Sequence, residues 1–142
     1  MIDALVNTWA ARAGMKSREQ DDGSWVAMDL ETAYRLSSDR DGFEVSERGR
    51  GGYQSLARLT RLDDAERVVL LLIGMPWRSG RGWGVPFPSG LGPGFGIVAE
   101  LDGCRLTGNG GSDWFRSEVD AQRFSRVSAL TLEALSELLE AH

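Results

Sequence analysis

The sequence predicts an α+β domain: a mostly antiparallel β-sheet with an N-terminal helix, a middle helix and a C-terminal helix. Three observations predict it. Apolar residues recur at helical spacing at both ends of the 142-residue chain. Short alternating segments, separated by Gly- and Asp-rich turns, follow the first helix. A hairpin signature, Asp102-Gly103, lies between two further strand-like runs. The length fits one domain, residues 1–142, and 42% hydrophobic residues suffice for a core.

The elements follow in chain order. Ile2, Leu5, Val6, Trp9, Ala10 and Ala13 share a helical face, Asp3 stands near its start and Gly14 closes it, so residues 2–13 read as a helix. Arg18 to Gly23 is charged and turn-rich. Ser24 to Leu30, Thr32 to Ser37 and Phe43 to Glu47 alternate as strands of a meander, with Ser38 to Gly42 as a turn. Tyr53 to Leu59 is a fourth strand. Asp63 and Glu66 resemble a helix-capping pair, and the run Val68 to Ile73 follows; a helix over 63–74 is favoured, although so short a β-branched run also permits a buried strand. Gly74 and Pro76 are expected to end it.

Twelve of the 18 glycines and all four prolines lie between Gly74 and Gly111. Gly96 to Leu101 and Cys104 to Thr107 form the hairpin around Asp102-Gly103. Thr107 to Asp113 is a glycine-rich tip. Trp114 to Ser117 and Gln122 to Val127 read as closing strands. Thr131 caps a last helix with Leu132, Leu135, Leu138 and Leu139 on one face. The expected sheet has about five to seven strands. Its order is not derivable.

Composition removes several chemistries. The one histidine is the terminal His142 and the one cysteine is Cys104, so no Ser-His-Asp or Cys-His site, no zinc site and no internal disulfide is expected. Carboxylates could still hold a weak Ca²⁺ or Mg²⁺. A net charge of −5 disfavours nucleic acid and suits a basic partner. The glycines at 90, 92, 94 and 96 have neither dinucleotide-fingerprint nor P-loop spacing, so no cofactor is expected. No signal peptide or membrane span is present, and a lone cysteine points to the cytoplasm. Cys104 reads as a small half-buried residue rather than a nucleophile. Trp9 and Trp25 read as core. Trp77, Trp83 and Trp114, in or beside glycine-rich loops, divide between pinning those loops and anchoring a partner.

Three segments carry a resemblance. Trp9-Ala10-Ala11-Arg12-Ala13-Gly14, the meander from Tyr34-Arg35-Leu36 to Gly42-Phe43-Glu44-Val45, and the tail Ala121-Gln122-Arg123-Phe124-Ser125 with Leu130-Thr131-Leu132-Glu133-Ala134-Leu135 resemble actinobacterial immunity proteins. This is the family of the immunity factor for tuberculosis necrotizing toxin. The resemblance implies a non-catalytic cytoplasmic antitoxin that binds the C-terminal domain of a polymorphic toxin. In the best-known case the toxin is an NAD glycohydrolase, inhibited by a glycine-rich loop in its NAD cleft. Relatives run past the position of His142, which implies a truncated or divergent copy.

The matching tip here is Gly108, Asn109, Gly110, Gly111 and Ser112, with Asp113 and Trp114 at its base; Gly90 to Gly96 is a second candidate. Consecutive glycines remove side-chain bulk, so such a tip can follow a narrow cleft. An acidic domain would be steered towards a positive cleft. In a plainer reading the tip is a solvent-exposed turn, and binding uses a sheet face or the 75–96 loop. The alternative class is a small-molecule binder or enzyme with region 75–96 as pocket or lid. A third is an interaction module unrelated to toxins.

Overall fold

The computed structural model describes residues 2–108 and 111–142. Among the described residues, four helices cover one face of an eight-stranded antiparallel sheet. In chain order the elements are α1 (Ala4–Arg12), β1 (Lys16–Glu19), β2 (Trp25–Met28), β3 (Ala33–Asp39), β4 (Gly42–Gly49) and β5 (Gly52–Leu59). After these come α2 (Leu62–Gly80), β6 (Gly96–Glu100), β7 (Gly103–Gly108), β8 (Gly111–Phe115), α3 (Glu118–Val127) and α4 (Leu132–Glu140). The strand order is β1-β2-β3-β4-β5-β8-β7-β6.

The first helix begins where Asp3 accepts the Leu5 N–H at 2.9 Å and ends before Gly14, whose φ of 79° only glycine adopts freely. The meander registers Trp25 opposite Leu36 and Leu36 opposite Val45. Ala57 pairs with both Val45 and Phe115, which carries the same inward row across the sheet. Val6, Trp9, Val69, Leu70, Phe124, Leu135 and Leu139 close over it from the helices. Trp9 and Trp25 are core residues, as their periodicity predicts, and the Trp9 indole N–H donates to Ser136 at 3.0 Å.

Four expectations are corrected. Residues 63–74 are indeed helical, but neither Gly74 nor Pro76 ends α2, which runs on to Gly80. Gly74 instead lets α4 approach: a Cβ there would stand 2.8 Å from Leu139 Cδ1. Pro76 forfeits one helical hydrogen bond. The last turn is held by Arg78, whose guanidinium donates to the carbonyls of Leu139 and Ala141 at 2.7 and 2.6 Å and so caps the end of α4. Gln122–Val127 is not a strand. It belongs to α3, which starts at Ser117, with Ser117 Oγ accepting the Asp120 N–H, and buries Ala121, Phe124 and Val127. Arg18 to Gly23 is not all turn, because Arg18 and Glu19 belong to Lys16–Glu19, which pairs with β2 as an edge strand. The sheet therefore has eight strands rather than five to seven.

Candidate functional site

The site is built from β7 and β8. Their register sets Gly108 opposite Gly111, Leu106 opposite Asp113, Arg105 opposite Trp114 and Cys104 opposite Phe115. Successive side chains of a strand point to opposite faces. Asp113 and Phe115 therefore face the helices, and Ser112 and Trp114 face the side that no helix covers. The expected site is thus divided by the pleat.

Asp113 is buried and its carboxylate accepts the Thr60 N–H at 3.3 Å. Burial raises its pKa, against the lowering by that hydrogen bond and by Arg105. It belongs to the packing under the hairpin and not to an exposed loop base. Gly108 has a structural duty as well. Its φ is 115°, and a Cβ would fall 2.5 Å from the Gly94 carbonyl oxygen. Asn109 and Gly110 lie outside the described residues.

On the uncovered face, one cross-strand row runs Glu44, Arg58, Trp114, Arg105 and Val98. The half-buried Trp114 lies between two arginines, and its ring atoms would stand 2.9 Å from a Cβ at Gly103. The missing side chain at 103 is what lets the indole lie down on β7. Arg58 pairs with Glu44 at 2.8 Å and with Asp39 at 3.6 Å. Arg105 makes a forked contact with Glu100, at 2.8 and 3.3 Å, and donates to Ser112 at 3.2 Å. That hydrogen bond from Arg105 holds the Glu100 carboxyl below its usual range, and the same contact raises the guanidinium. Arg58, Arg105, Trp114, Ser112, Asp39 and Glu100 line a groove of about 460 Å³, with Thr60 and Asp102 also in its wall. A rigid indole framed by arginines is the composition of an interface hot spot. Neither arginine was marked by the sequence, because nothing local connects Arg58 with a strand some fifty residues further on.

The second candidate loop is tied to the helical side. Arg78 donates to the Gly84 carbonyl at 2.9 Å, Arg126 to those of Gly90 and Ser89 at 3.1 and 2.9 Å, and the Gly92 N–H to Ser125 at 2.8 Å. Trp77 stacks edge-on against both Trp9 and Trp83, with centroids 5.1 and 5.6 Å apart. These two tryptophans pin the loop. The groove beside its Val85–Gly90 part holds about 160 Å³, and one that Pro76, Trp77 and Arg81 share with Arg12 and Tyr34 holds about 400 Å³.

Cys104 is buried, which raises its thiol pKa, and it faces the core. Among the described residues no group of three or more His, Cys, Asp or Glu side chains converges on a possible metal position. Among them also no helix is long and apolar enough to cross a membrane.

The family model described as Immunity protein 61 matches residues 9–141. A solved structure, Rv3902c from M. tuberculosis, shares the fold with a TM-score of 0.68 at 16% identity, over 99% of this chain and 83% of that one. No curated protein sequence matches the chain.

Proposed function

The chain belongs to the Immunity protein 61 family, and from that premise we propose that it is an antitoxin that binds and neutralises the C-terminal domain of a cognate polymorphic toxin. The β7–β8 hairpin is the inhibitory element. Its tip, residues 108–111, enters the active-site cleft, while Ser112 and Trp114 seat the hairpin base against the cleft rim. An NAD glycohydrolase is the toxin class that the sequence resemblance implies. The protein acts in the cytoplasm as a stoichiometric inhibitor and carries out no catalysis of its own.

One observation carries this reading. Trp114, adjacent in sequence to the glycine tip, lies on the uncovered sheet face between Arg58 and Arg105, fixed over Gly103. An indole already held in place loses little entropy on binding, which is what gives an anchor its affinity. The glycines at 110 and 111 suit a tip that must enter a narrow space, with backbone N–H and C=O groups as its pairing surface.

Co-expression with the toxin domain encoded by the neighbouring reading frame tests it. A stable complex should co-purify and the host should survive. Replacing Gly110 and Gly111 with valine should leave the melting temperature near that of the wild type and abolish protection. Normal protection by a folded variant would remove the tip from the mechanism.

A further inference from the structure

The chain carries a net charge of −5, yet the β1–β4 side of the uncovered sheet face is cationic, while Asp39, Asp41, Glu100 and Asp102 line the groove at its other end. The register places Lys16 and Arg18 of β1, Arg35 of β3 and Arg48 of β4 on this face, on the same side as Val26, Ser46 and Tyr53. Arg116, just past β8, donates to the Ser55 carbonyl at 2.7 Å and lies 6.0 Å from the Trp114 ring. Among the described residues none of these five makes an ion pair. The strand carboxylates on the same face, Asp39, Glu44 and Glu100, are all engaged by Arg58 and Arg105. At the rim, Asp22 is hydrogen-bonded to Ser24, and Asp29 to the N–H groups of Glu31 and Thr32.

Arg35 is the most telling member. Its guanidinium lies 4.3 Å over the Tyr53 ring, and its buried Nε has no hydrogen-bond partner. A desolvated guanidinium donor without an acceptor is costly to keep. Held over Tyr53, the guanidinium is an ordered cation on this face.

We propose that this arginine face docks an acidic surface of the toxin domain, as a second contact continuous with the Trp114 anchor. The inference rests on the antitoxin reading and specifies the chemistry of the partner. Guanidinium groups present planar forks that match carboxylates two bonds at a time. A polyphosphate chain fits less well. The field of the whole chain repels it, and Tyr53 is already covered by Arg35 and cannot stack on a base. The local face and the net charge therefore act at different ranges: within roughly a Debye length the face steers and orients the approach of the partner, and the net charge governs solubility.

The test uses the full-length protein and a catalytically dead copy of the neighbouring toxin domain. Arg18→Glu with Arg48→Glu is the variant of choice, because both side chains are exposed and neither holds another residue. Wild-type association should slow as salt is raised, and the double variant should lose roughly tenfold or more of the low-salt association rate together with most of its salt dependence. A double variant that matches the wild type in rate and salt dependence would overturn the proposal while leaving the antitoxin reading intact. Absence of any wild-type complex would overturn both. Unchanged toxin binding with loss of binding to a duplex DNA probe would give the face to nucleic acid, and loss of self-association would give it to a second copy. Arg35→Gln, which keeps a polar stem over Tyr53, supplies an independent variant should the reversal impair folding.

Discussion

At the scale of single residues, the pleat of β8 decides roles that the sequence could only group. Ser112 reads as the end of the tip, and Asp113 and Trp114 as its base. The structure gives Asp113 to the core and its two neighbours to the open face. Asp113→Asn keeps the acceptor for Thr60 and removes the titration. Burial is the largest cause of the raised Asp113 pKa, so its folded-state pKa lies above the unfolded one. Its contribution to stability is then complete below the unfolded value and is lost as pH rises through the folded value. Melting curves of both proteins between pH 7 and about 4 check this. The stability of wild type relative to Asp113→Asn should increase on acidification; a constant difference would mean that the carboxyl is not desolvated. At Gly108, alanine must hold φ near 115° beside the Gly94 carbonyl. Gly108→Ala should therefore destabilise the fold by roughly 1–3 kcal/mol, read by urea denaturation. That sets it apart from substitutions at 110 and 111, which are expected to act on binding alone.

At the scale of elements, what was legible followed local pattern. Helix α1, the meander strands and the Thr131-capped α4 are each written in one short window. The errors have physical causes. Gln122–Val127, taken alone, fits a strand; the helix becomes visible only when the window starts at Ser117, whose hydroxyl caps Asp120 with Glu118 in the first turn. Gly74 and Pro76 looked like a stop because both break isolated helices, but Gly74 is small for a tertiary reason, the crossing with α4. Gly74→Val should overpack that crossing and cost roughly 1–3 kcal/mol, seen as a lower denaturation midpoint with an unchanged slope. A neutral result would mean that Leu139 has room to move. The charged stretch from Arg18 to Gly23 hid the end of the edge strand Lys16–Glu19, since edges tolerate and even favour charge.

At the scale of the whole molecule, the sheet order was beyond local reading. Strand β5 pairs with β8 across the whole of α2 and the β6–β7 hairpin. That non-local pairing brings Arg58 beside Trp114 and makes one continuous face from β1 to β6. The helices close the other side, with Arg78 and the Trp9–Trp77–Trp83 stack fastening the glycine- and proline-rich loop against them. What remains open is the sheet, with an aromatic anchor, a groove and a cationic field on one surface. Recognition of a toxin through that surface is tested most directly by titrating toxin activity with wild-type protein and with Trp114→Ala, both shown to be folded by their melting curves. Loss of a hot-spot tryptophan should weaken inhibition by about thirtyfold or more, the equivalent of ~2 kcal/mol. Equal inhibition by the two proteins would contradict the account and move the contact away from the β7–β8 hairpin.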